Sequence, residues 1–308
     1  MRVIETLDFS ERFVNPVLTI GNYDGLHLGH RKIIERIKAK ARELNGTPML
    51  MTFHPHPLTI LKPDKFIGLI TPIHVKKRLI EEAGIDVLLI APFTEEFRLI
   101  TPGAFVDNLL IQRLGIKGLV VGYDFKFGKE GKGSVEYLAS RSKEYGFFFE
   151  IQGAITLDGE KLGSNRIRKM IQEGDVRKAA FHLGRPYMVE GTIEKGAGRG
   201  RTIGFPTINL KTDFPLIPKR GVYISEVDID GKKRPAVTNI GFNPTFDGQA
   251  QTIETYILDF SGDLYNQEIA LYFLERVRDE AKFGSVDELR EKIWKDVETA
   301  RNYFNKTQ

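Results

Sequence analysis

The chain has no cysteine and only one tryptophan in 308 residues. Without a thiol there is no disulfide, no thiolate nucleophile, no cysteine-held zinc and no iron–sulfur cluster ligated in the usual way. Several enzyme classes are thereby excluded. No run approaches about eighteen uncharged apolar residues, and the opening "MRVIETLDFSERF" lacks the apolar segment and cleavage site of a secretory signal. A cytoplasmic location with no membrane partner is therefore expected. Charge of one sign is also scarce: 45 basic residues stand against 41 acidic ones, and the net +4 is spread along the chain. No stretch interleaves dense basic residues with aromatics, so nucleic acid is not an expected partner, whereas small anions such as nucleotides are. No obligate protein partner is evident.

Histidine is sparse too, yet four of the six histidines crowd into two places, "GNYDGLHLGH" (21–30) and "TFHPHP" (52–57). Around them the first half alternates apolar runs with amphipathic stretches. "VLTIG", "MLMTF", "DVLLIAPF", "KGLVVGYDF" and "FFFEIQ" read as strands. Between the first two, Ile33, Ile34, Ile37, Ala41 and Leu44 keep helical spacing, stopped by Asn45-Gly46. Thr101 is an N-cap candidate with Pro102 at the first helical position. Fully apolar strands alternating with helices predict a parallel, doubly wound α/β sheet.

After residue 185 the register changes. Two helical patterns end at "GRPY", and from there to about residue 275 the runs alternate as antiparallel strands, with Asp230-Gly231 as a hairpin turn. A small antiparallel barrel is expected, followed by a helix with Ser285 and Glu288 as a capping box. Val286, Leu289, Ile293, Val297 and Ala300 would form its barrel-facing stripe. The expected domains are 1–185 and 186–308.

"GNYDGLHLGH" follows the first long strand and precedes the first helix, where a parallel sheet binds ligands and free helix N–H groups attract phosphate. Gly21 and Gly25 permit a tight turn, and Gly29 permits close approach. A metal held by the four histidines is a weaker alternative, because His54 and His56 flank Pro55 in an extended segment and no H-E-x-x-H is present. The stretch resembles the G-x-F-D-G-x-H-x-G-H of bacterial FAD synthetases within the nucleotidylyltransferase superfamily, with its Rossmann-like fold. "TFHPHP", "GYDFKFG" (122–128) and "GSNRIR" (163–168) resemble that family's later motifs in the same order.

That resemblance implies ATP binding by Gly21, Asn22, Asp24, Gly25, His27, His30, Ser164 and Arg168. It also implies flavin contacts from Pro55, His56, Pro57, Asp124 and Phe125. The implied reaction is attack of an FMN phosphate oxygen on the α-phosphorus of ATP, releasing pyrophosphate, with His27 and His30 as the catalytic pair. Tyr23 stands where phenylalanine is usual, which a half-exposed ring would tolerate; His54 and Asn165 replace a common glutamate and threonine.

In the second half, "GAGRGRTIGFPTINL" (196–210) reads as a positive glycine flap with Gly198 and Gly200 near ATP. Thr207 and Asn209, two apart on a strand, offer one face of hard oxygen ligands for Mg²⁺. Glu254 interrupts an apolar-rich strand whose opposite face carries Ile253, Thr255 and Ile257. "GFPTINL", "NIGFNPTF", "IETYILDF" and "KFGSVDELREKIWKD" resemble riboflavin kinases. By that resemblance the barrel is of the riboflavin kinase type, Glu254 is the base for the ribityl hydroxyl, and Arg278 lies in a flavin-covering loop. Asn266 stands where glycine is usual. The expected function is a two-step transferase making FMN from riboflavin and FAD from FMN, with ATP as co-substrate and Mg²⁺ as cofactor. Two alternatives stay open: another adenylyltransferase with an accessory barrel, and a flavin-binding carrier or regulator.

Overall fold

All five apolar runs of the first half are strands, and every one pairs in parallel. They are β2 (Val17–Ile20), β3 (Pro48–His54), β4 (Val87–Pro92), β5 (Gly118–Gly122) and β6 (Phe148–Gln152), joined by an edge strand β1 (Arg2–Ile4) that is too short to show a pattern. The computed structural model describes residues 1–64, 68–157, 159–196, 199–245, 248–281 and 283–307. Two compact units emerge, Met1–Ser164 and Asn165–Gln308.

In the first unit the strand order is β1-β4-β3-β2-β5-β6. The chain leaves β2 toward β3 on one side and later returns to β5 on the other, so the switch point of the sheet lies beside β2. The helix Leu28–Glu43 packs across β2, β3 and β5 and buries Ile33, Ile34, Ile37 and Ala41. Each isoleucine contributes roughly 1.5–3 kcal/mol by leaving water. Asn45 adopts φ 46° beyond the helix end, and the Gly46 N–H returns to the Ala41 carbonyl at 2.8 Å. Thr101 accepts from the Ala104 N–H at 3.2 Å, as its position suggests, but the continuation Phe105–Arg113 is a π-helix. Apolar spacing does not reveal that wider turn. A short ribbon of β7 (Thr156–Leu157) and β8 (Glu160–Lys161) follows the sheet.

In the second unit Asp175 caps the helix Val176–Leu183, which left-handed Gly184 ends. The unit border places this helix with the barrel strands that follow: Arg177 approaches Glu275 at 3.5 Å. The strands β9 (Tyr187–Glu194), β10 (Ile208–Lys211), β11 (Gly221–Ile229), β12 (Lys232–Thr245), β13 (Gly248–Ile257) and β14 (Glu268–Arg278) close in the order β10-β13-β12-β11-β14-β9. Asp230 and Gly231, with φ 51° and 77°, form the two-residue turn that matches strand twist. Asn266 adopts φ 64°, a left-handed conformation asparagine tolerates.

One face of the barrel strands carries buried Tyr223, Phe273, Ile240 and Ile253, and with them a chain of hydroxyls. Ser225, Thr238 and Thr255 bond in sequence at 2.7 and 2.9 Å. The other face meets the helix Val286–Thr307 through Val297 and Ala300, which contact a cluster of Val222, Ile224, Val237 and Leu258. The stripe read from the sequence is thus only partly used, since Val286 is 62% exposed and the grip starts near Ile293. Ser285 accepts from the Glu288 N–H, but Glu288 reaches back to the Gly284 N–H, one residue earlier than a standard capping box. Among the described residues no helix is long and apolar enough to cross a membrane.

Candidate active sites

Between β2 and its helix the chain takes three left-handed residues in quick succession, Tyr23 (φ 49°), Gly25 (φ 84°) and Leu26 (φ 40°). For the two non-glycines this costs about 1–3 kcal/mol each and persists only where the surroundings over-determine it. They do so here. The Asp24 carboxylate accepts the N–H groups of Ile70 at 2.9 Å and Thr71 at 3.0 Å, and the Gly25 N–H donates to the Thr71 hydroxyl at 3.0 Å. The Asn22 carbonyl accepts from Lys76 Nζ at 2.7 Å and from the Thr52 hydroxyl at 3.1 Å. The expectation of a half-exposed Tyr23 is corrected: the ring is 1% exposed and its hydroxyl bonds to Thr19. Burial pushes that phenol above its ordinary range, against the pull of the Thr19 bond.

The loop delivers His27 as the N-cap of Leu28–Glu43. Its Nδ1 accepts the His30 N–H at 3.3 Å, so a neutral ring carries its proton on Nε2. The two imidazoles stack at 3.6 Å between centroids, with the Tyr23 ring 4.8 Å from His30. Gly29 makes room for the stack itself: a Cβ there would lie 3.0 Å from His27 Cε1 and Nδ1. Ser164, the last residue of the first unit, donates its hydroxyl to the Asp24 carbonyl at 2.8 Å. Arg168, in the second unit, donates to the Asn165 side chain at 2.6 Å.

The flavin candidates of the first unit stand at the carboxyl ends of β3 and β5, the two neighbours of β2. His56 is a buried cap whose Nδ1 accepts the Leu58 N–H at 3.2 Å, with Pro55 exposed before it and Pro57 opening the short helix Pro57–Leu61. Asp124 is exposed after β5, and Phe125 stacks on buried Phe127 at 5.7 Å. In a parallel sheet these ends share one edge, so ATP and flavin candidates gather on it.

On the barrel, Glu254 is the register partner of Asn209 on one side and Asn239 on the other. The three form a row across β10, β13 and β12, with adjacent Cα atoms about 4.5–5.5 Å apart. Two glycines permit close approach to Asn209 and to Thr207. A Cβ on Gly196 would overlap the Asn209 side chain, and one on Gly200 would stand 3.1 Å from the Thr207 hydroxyl. Glu280 and Asn239 both lean over Gly241, whose missing Cβ would be 2.6 Å from Glu280 Oε1 and 3.2 Å from Asn239 Nδ2. Gly198 lies outside the described residues. Arg278 grips buried Asp296 with Nε–Oδ1 at 3.0 Å and Nη2–Oδ2 at 2.7 Å, and the Phe283 ring lies 5.8 Å from its guanidinium. That arginine anchors the end of β14 to the C-terminal helix.

The two halves match two families. The FAD synthetase profile covers residues 10–166 and the riboflavin kinase profile residues 183–304. The bifunctional riboflavin kinase/FMN adenylyltransferase of Escherichia coli strain K12 is 36% identical over 95% of this chain and 94% of its own length. The enzyme of the same description from Bacillus subtilis is 37% identical over 96% and 94%. The chain belongs to the bifunctional riboflavin kinase/FMN adenylyltransferase family. A solved structure described as a macrolide-efflux protein from Streptococcus pneumoniae has the same fold, with TM-score 0.88, 32% identity and coverage of 97% and 98%.

For a member of the bifunctional riboflavin kinase/FMN adenylyltransferase family, two site-shaping residues here, Lys76 and Asn239, receive no role from motif reading, because they reach their partners only through tertiary contacts. Asp24, which the motif marks as an ATP contact, turns its carboxylate to backbone rather than outward. The pattern at Lys76 reads as an amphipathic helix, in which a buried lysine has no signature.

Proposed function

We propose that the two activities of the family sit at two separate sites, adenylyl transfer in residues 1–185 and riboflavin phosphorylation in residues 186–308. The observation that carries this reading is that each unit holds its own constellation: stacked His27 and His30 on a cross-braced loop, and the Asn209–Glu254–Asn239 row on the barrel.

In the kinase step Glu254 takes the proton of the riboflavin 5′-hydroxyl as its oxygen bonds the γ-phosphorus of ATP and the bond to ADP breaks. Thr207 and Asn209 supply the hydroxyl and amide oxygens that suit Mg²⁺, and the loop bearing Gly198 and Gly200 closes over the phosphates. Bound there, Mg²⁺ neutralises phosphate charge. Arg278 acts on the flavin through the segment it anchors. In the adenylyl step the FMN phosphate is already an anion and needs no base. His27 Nε2, His30, Ser164, Arg168 and the helix N-terminus hold two mutually repelling anions in line while pyrophosphate leaves. Gly21, Asn22 and Gly25 shape the loop, Asp24 braces it from below, and Pro55, His56, Pro57, Asp124 and Phe125 frame the flavin. Both reactions draw on cytoplasmic ATP and need no nucleic acid, membrane or protein partner.

The test incubates the chain with riboflavin, ATP and Mg²⁺ and separates the flavins over time. FMN should rise and then give way to FAD. Glu254→Gln should abolish FMN formation yet convert supplied FMN to FAD; equal loss of both steps would sink the two-site reading.

A further inference from the structure

Lys76 is 5% exposed, on the first turn of the helix Ile73–Glu82, and its ammonium points at the loop that carries the histidines. Its bond to the Asn22 carbonyl, 2.7 Å long, falls one residue before Tyr23, where the left-handed run begins. The same segment of chain supplies further braces, the Ile70 and Thr71 N–H groups to Asp24 and the Thr71 hydroxyl to the Gly25 N–H, and the neutral Thr52 hydroxyl shares the Asn22 carbonyl at 3.1 Å. Of these braces only Lys76 contributes a charge opposite to that of Asp24. A buried lysine is costly to keep, and nothing in the packing of an ordinary amphipathic helix calls for one.

We propose that Lys76 is the positioning residue of the adenylyl-transfer site: its ammonium pins the Asn22 carbonyl and so holds the strained loop with His27 and His30 in place for the phosphates. The inference rests on the assignment of adenylyl transfer to this unit. Lys76 touches neither substrate. It acts by keeping three left-handed residues from relaxing, and a neutral amine is the weaker donor for that task. Asp24 faces Lys76 from the loop, and on its own helix Lys77 turns away to Glu5. Desolvation lowers the Lys76 pKa to about 8, with the Asp24 charge opposing the fall.

Activity and stability must then respond to pH in opposite directions. The folded state releases the Lys76 proton near 8, whereas the unfolded chain keeps it to about 10.5. Between those values the unfolded state binds more protons, so this group makes folding more favourable as pH rises. Adenylyl transfer should fall over the same interval because the brace loses its charge.

The experiment follows FMN to FAD by the wild-type chain from about pH 7 to pH 10, beside riboflavin to FMN by the same chain and thermal unfolding at each pH. The expected result is a fall of about tenfold in kcat for FAD formation across pH 8, with KM for ATP little changed. The kinase should not share that limb, and the melting temperature should not drop through it. Lys76→Met should lower FAD formation about 10- to 100-fold and erase the limb, and Lys76→Arg should restore part of the rate. An alkaline limb that persists in Lys76→Met, one shared by the kinase, or a wild-type rate in Lys76→Met would each overturn the inference. Absence of FAD from the wild-type chain at every pH would instead overturn the assignment on which it rests.

Discussion

Replacing Gly29 by alanine should separate stability from catalysis. The new methyl group would sit 3.0 Å from two atoms of the His27 ring, which must yield by a few tenths of an ångström. The movement weakens the cap from His27 Nδ1 to the His30 N–H and tilts the stack. A lost N-cap costs about 1 kcal/mol. Alanine for glycine inside a helix returns about the same. Net stability should therefore stay within about 1 kcal/mol of the wild type, a shift of a few degrees in melting temperature. Catalysis has no such compensation. A misdirected His27 Nε2 forfeits a charge-assisted bond to phosphate, about 1.5–3 kcal/mol or roughly 10- to 150-fold in rate. The assay is FAD and pyrophosphate formation from FMN and ATP, with riboflavin phosphorylation by the same sample as the reference. FAD formation within about twofold of the wild-type rate would refute the view that the histidine stack is tuned by the bare Cα of residue 29.

Asp296→Asn should leave the Arg278 guanidinium uncompensated and destabilise the barrel by about 3–5 kcal/mol, read as an earlier denaturant midpoint; the pair change Arg278→Met with Asp296→Leu should recover most of it. Asn209→Leu should remove kinase activity that added Mg²⁺ does not restore, with FAD formation from supplied FMN within about twofold of normal. A kinase retaining its usual Mg²⁺ dependence in that variant would remove Asn209 from the metal.

Elements whose residues declare themselves locally were legible in the sequence. Buried parallel strands such as Leu18 and Val121 sit in near-continuous apolar runs, the helix stripe from Ile33 to Ala41 repeats every turn, and Asp230-Gly231 can serve as little else than a hairpin turn. His27, His30, Asn209 and Glu254 were singled out because glycines, strand ends or an interrupted apolar face mark them, with the role of Glu254 as base taken from the resemblance. What escaped depends on how the chain packs in three dimensions. The left-handed turn that folds the Tyr23 ring back onto Thr19, four residues earlier, has no local signature, and nothing near Asp24 indicates that its carboxylate will cap two N–H groups some way down the chain. The idle upper half of the C-terminal stripe has the same origin: periodicity reports which residues could be covered, whereas the extent of the barrel decides which are.

The closed order of the barrel has a kinetic consequence. Its ring shuts where β9, the first barrel strand, pairs with β14, the last. That pairing joins distant parts of the chain, so loop entropy is spent before any contact repays it, and such topologies fold slowly. Once shut, a ring has no end from which to fray. Amide protons of all six strands should exchange through one shared opening rather than strand by strand. A chain cut short before β14 would leave β9 and β11 with bare edges, open to the strands of another copy.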